Sequence, residues 1–97
     1  MKKNTVITFE NKEIKIPFDI IVDPKTACEL ETITNIATGK KAVIPKFASA
    51  VYDVIKGSEL FYNNGQFQMA EIINQGRYWF QKHFINEYYT LLDWGVR

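Results

Sequence analysis

His83 is the one imidazole of this 97-residue chain and Cys28 the one thiol, and they stand 55 positions apart. That inventory limits the chemistry at once. A transition-metal site draws several Cys and His ligands, so no metal centre is expected. Nucleophilic catalysis needs a Ser, Thr or Cys held beside a base. Ser49 and Ser58 fall instead within a stretch of helical periodicity, outside any nucleophile elbow. Cys28 reads as a small buried apolar residue, and His83, one helical turn after Trp79, as a packing or hydrogen-bonding side chain. Five scattered glycines form no phosphate cradle. Glu29 and Glu31 would share one face of a strand and could divide acid and base roles. With no buried partner to separate their pKa values they read as solvated surface. The expectation is a protein without catalytic residues, cofactor, metal or small-molecule substrate.

The abundant chemistry is aromatic. The stretch "GRYWFQKHFINEYY", residues 76 to 89, holds six aromatic side chains with Arg77, Lys82 and His83 among them. Projected as one helix, Met69, Ile73, Gly76, Phe80, Phe84 and Leu91 fall in a single sector, flanked by Ala70 and Tyr88, and are expected in the core. Gly76 in that sector would let another element approach closely. Phe67, Tyr78, Ile85 and Tyr89 lie together on a second face, and Ile72 with Trp79 on the opposite flank. A helix apolar on this many sides must be covered from several directions. We therefore expect Tyr78, Trp79, Lys82, Ile85 and Tyr89 to meet a protein partner or another copy of the chain, tyrosine being suited to such a place because its hydroxyl stays hydrated.

Charge offers an alternative. Twelve basic and eleven acidic residues leave +1, which gives no global pull toward nucleic acid or an anionic membrane. Local patches remain: "TGKKAVIPK" places Lys40 and Lys41 at a hairpin tip with Lys46 following, Arg77 adds a further cation, and Lys2 and Lys3 could form an arm. A dimeric DNA- or RNA-binding accessory protein using Lys40, Lys41, Lys46 and Arg77 is the competing expectation, its binding salt-dependent.

The elements that must position these residues are legible as two halves. Ile14, Ile16, Phe18, Ile20 and Val22 alternate with other residues, predicting a strand over 5–22 with a turn at Asn11-Lys12. That register sets Phe9 opposite Ile14, Ile7 opposite Ile16 and Thr5 opposite Phe18. Pro17 marks an edge or a bulge. Residues 24–38 fit either a helix or, by their β-branched density, a turn followed by a second hairpin; the hairpin is favoured. From Lys46 the period becomes 3.6, with Phe47, Val51, Val54, Ile55, Ser58 and Phe61 on one stripe. Asn63-Asn64-Gly65 ends that helix, and a second, antiparallel one runs from about Gln66 to Asp93 with a break near Ile85-Asn86. The expected fold is α+β, one domain over 1–97, mainly β in 5–45 and mainly α in 46–94. No run reaches the ~18 apolar residues of a membrane helix, and the polar N-terminal stretch does not read as a signal peptide. A single cysteine suits a reducing compartment.

Residues 58–70 resemble one tetratricopeptide-type helical hairpin: Tyr62, Gly65, Phe67 and Ala70 fill a Y-x-x-G-x-[YF]-x-x-A pattern, and Ser58 stands at the family's small helix-contact position. The resemblance implies a helix-turn-helix and a lean toward protein binding. Arg77 and the missing proline depart from the pattern. As a whole the chain also resembles small accessory proteins of bacteriophages and mobile elements, which would place it in a host cytoplasm or a virion.

Overall fold

The structure, a computed structural model, describes residues 6–92. Thr5, the Lys2 and Lys3 arm, and the end of the last expected helix at Asp93 lie outside the described residues.

Strands β1 (Val6–Phe9) and β2 (Lys12–Lys15) pair antiparallel, with Ile7 opposite Ile14 and Phe9 opposite Lys12. The turn is Glu10-Asn11, both residues at positive φ, 52° and 66°. This corrects the expected Asn11-Lys12 turn and its register. The physical reason is that a two-residue hairpin turn wants positive φ at both central positions, which Asn tolerates and Lys does not favour. Lys12 therefore stays extended in the ladder. Since each partner moves by two residues, Ile7 and Ile14 still face the core together. Pairing ends before Pro17, which has no N–H to offer. Ile16, just past the end of the ladder, is fully buried; the chain then bends at Pro17-Phe18, where the Ile20 N–H donates to the Phe18 carbonyl at 2.9 Å, and Phe18, Ile20 and Val22 lie half buried against the core. The alternation predicted to residue 22 is real, but its ladder stops at Lys15.

Residues 24–38 resolve in favour of the hairpin. Asp23 Oδ1 accepts the Lys25 N–H at 2.9 Å and opens a turn, after which β3 (Leu30–Thr34) pairs antiparallel with β4 (Lys41–Pro45). Asn35 organises the connection: its Oδ1 accepts the Ala37 N–H at 2.9 Å, and its Nδ2 donates to the Thr90 carbonyl at 2.9 Å. The two hairpins remain separate two-stranded sheets.

Helix α1 (Lys46–Asn63) follows β4 directly and turns back through Gly65 at φ 98°. A 3-10 turn over Phe67–Met69 leads into α2 (Ala70–His83). Phe84, at φ −141° and ψ 62°, interrupts the helical path before α3 (Ile85–Leu91), where the break was expected. Gly76 is where α1 and α2 come close: a methyl there would lie against Ile55 Cγ1, 2.7 Å from its Cδ1 and 3.3 Å from Phe18 Cζ.

The core lies where the hairpins meet the helices, with Phe47, Phe80, Ile16, Ile44, Ile55, Leu91 and Leu92 fully buried. Phe84 joins its aromatic rings, with centroids 5.6 Å from Trp79, 6.0 Å from Phe47 and from Phe80, and 6.1 Å from Phe9. Burial along α1 runs only to Ser58. Phe61, expected on the buried stripe, is half exposed. The last turn of α1 lies next to the connection, where the 3-10 turn over Phe67–Met69 packs against the helix.

Candidate functional site

The expected contact residues separate. Tyr78 is 67% exposed and stands on the polar face of α2, beside the exposed Gln75, Gln81 and Lys82. Ile85 and Tyr89 are also exposed, four residues apart on α3. The break at Phe84 ends the straight projection that aligned them with Tyr78. Trp79 is a correction. It is 5% exposed, and its Nε1 donates to the Lys15 carbonyl at 2.8 Å. Its flank of α2 is the one covered by the first hairpin, so its indole is core, not contact surface.

The cations of the alternative set are divided in the same way. Lys40 and Lys41 are exposed at the β3–β4 connection, but Lys46 opens α1, about 16 Å along β4 at ~3.3 Å per residue. Its Nζ pairs with Glu29 Oε1 at 3.3 Å. Arg77 donates from Nη2 to the Tyr88 hydroxyl at 2.9 Å, with its guanidinium 5.6 Å from that ring's centre, and so links α2 to α3. Cys28, expected inside, is exposed in the turn before β3, with Sγ 3.5 Å from the Thr8 carbonyl oxygen. Glu31 faces Asp53 across the β3–α1 contact. Burial, then Glu31, raises the Asp53 carboxyl above its ordinary pKa.

Two surfaces escaped the sequence reading. The first is the tip of the helical hairpin. Leu60 at 62% and Phe67 at 65% are largely exposed, with Phe61 and Tyr62 less so. Tyr62 and Phe67 meet edge to face at 5.1 Å, and a groove lined by Glu59, Tyr62, Ala70 and Ile73 runs alongside. Residues 60–70 contain no charged side chain. That uncharged run was the available signal; a helical projection hides it by assigning Phe61 to the core.

The second is a recess of about 310 Å³ where β1–β2, β3–β4 and the α2–α3 junction converge. Glu10 and Lys12 line one wall, Lys82, His83 and Glu87 a second, and Leu30 and Val43 an apolar third. The His83 ring lies beside Trp79, centroids 5.3 Å apart and planes tilted by 56°. Burial, then Lys82, then Lys12 hold the imidazole below its ordinary pKa, so it is mostly neutral at pH 7. A second recess on the other side of Lys82 and His83 is bounded by Lys15, Pro17 and Tyr78.

Among the described residues, no group of three or more His, Cys, Asp or Glu is placed to hold a metal ion. No helix there is long and apolar enough to cross a membrane. No family model, curated protein or solved structure matches the chain.

Proposed function

We propose that the protein is a non-enzymatic interaction module whose partner is a second copy of its own chain. The observation that carries this reading is the uncharged, aromatic tip of Leu60, Phe61, Tyr62 and Phe67 projecting beyond the core. Soluble chains usually avoid leaving such a cluster in water. The uncharged run, bordered by Glu59 and Glu71, places little electrostatic demand on its partner, and an identical tip can meet it through a two-fold contact. A buried aromatic contributes about 150–250 Å², so these half-exposed residues offer roughly 400–500 Å² per copy. Two copies reach about 1,000 Å², the lower limit of a specific interface. The expected dimer is accordingly weak and concentration-dependent. The resemblance of residues 58–70 to a protein-binding helical hairpin agrees with this assignment.

Sedimentation velocity from micromolar to millimolar chain tests it. The mass should rise toward a dimer, and the Phe61→Gln/Phe67→Gln double variant should remain a monomer with the same unfolding midpoint. A chain that stays monomeric throughout, or a variant that dimerises as well as the parent, removes the proposal.

A further inference from the structure

The recess beside His83 has the makings of a ligand site distinct from the aromatic tip. Its volume of about 310 Å³ lies at the lower end of small-molecule pockets. Its Leu30 and Val43 wall is apolar and open to solvent although both residues belong to a folded strand pair. Lys12 comes from β2 and Lys82 from the last turn of α2, and neither makes an ion pair among the described residues. Lysines elsewhere, at 46 and 56, do find carboxylates.

We propose that this recess binds a compact apolar monocarboxylate, its carboxylate held between Lys12 and Lys82 beside His83 and its stem laid on Leu30 and Val43. Glu10 in the turn and Glu87 on α3 also line the recess, together with Lys12, Lys82 and His83. The lining thus sets three basic side chains against two acidic ones. Lys15 lines the neighbouring recess together with Lys82 and His83. A carboxylate on an apolar stem could belong to a free acid or to the last residue of a peptide. The small volume favours the free acid. The ligand is bound and not transformed.

The protein's single histidine supplies the readout. 3-Phenylpropanoate is titrated into the full chain while the His83 ring proton shift is followed against pH by NMR. The expected result is saturable binding, perturbation of the Leu30 and Val43 amides, and a His83 pKa raised by the bound anion. The Lys12→Met/Lys82→Met variant, which keeps the apolar stems and whose folding is checked by its unfolding midpoint, should bind at least about fivefold more weakly. Lys12→Arg/Lys82→Arg should bind nearly as the parent does. Binding of 3-phenylpropanamide as tight as that of the acid overturns the charge assignment. An equal response to acetate overturns the role of the apolar wall. Tighter binding of the tripeptide Gly-Gly-Phe overturns the free-acid source, and unaltered binding by the methionine variant overturns the site.

Discussion

The indole Nε1 of Trp79 donates to the backbone carbonyl of Lys15 across 2.8 Å, fastening α2 to the last paired residue of β2. Trp79→Phe keeps a ring near Phe47, Phe80 and Phe84 but abandons that carbonyl. The expected loss is about 1–3 kcal/mol of stability, from the missing bond and the smaller ring. Urea unfolding measures it, and a variant as stable as the parent would show that the bond is dispensable.

Gly76→Ala sets helix propensity against packing. In an open helix the change gains about 1 kcal/mol. Here the new methyl meets the side chain of Ile55, which is fully buried and has little room to withdraw. Overpacking of this kind costs roughly 1–3 kcal/mol, so net destabilisation is expected. Adding Ile55→Ala opens space for the methyl, and the double variant should lose less than the two single losses combined. Additive losses would mean that the two residues do not compete for the same volume.

Acid should weaken the fold through His83. Its folded pKa lies below the ordinary value, so the unfolded chain binds the proton more readily. Stability is then lost as pH falls from the unfolded value of about 6.5 through the folded one. The groups around the ring include Lys12 and Lys15 of β2, Lys82 of α2, Glu10 of the turn and Glu87 of α3. Thermal unfolding between about pH 7 and pH 5, above the range of ordinary carboxylates, should show the decline, and His83→Gln should flatten it. An equal slope in both proteins assigns the effect elsewhere.

The first turn is under-optimised. Glu10 sits at φ 52° and Asn11 at φ 66°, conformations that Asn-Gly adopts with far less strain than Glu-Asn. Glu10→Asn/Asn11→Gly should therefore stabilise the protein by about 0.5–1 kcal/mol. A lower unfolding midpoint in the double variant would contradict the assigned turn.

What the sequence disclosed was whatever depends on local period and punctuation. The change of rhythm at Lys46, the second hairpin around Gly39, the break before Ile85 and the close approach at Gly76 were all readable on those terms. What stayed hidden depended on which element covers which. Tyr78 and Trp79 are neighbours of similar size, and only the position of the first hairpin makes one surface and the other core. Phe61 fits the apolar stripe of α1, yet it falls past Ser58, the last buried position of that helix, beside the connection. The recess beside His83 needs Lys12 and Lys82 brought together from distant parts of the chain.

Each hairpin pairs strands that are adjacent along the chain, and neither joins the other in a larger sheet. Ladder formation therefore requires only short loops to close, on the microsecond scale of isolated hairpins. No distant strand has to find its register before the chain can progress, which is what slows many β-rich proteins. The distant contacts, Trp79 with Lys15 and Asn35 with Thr90, are left to the docking of hairpins on helices, and refolding at the intermediate rates of mixed α/β domains is expected.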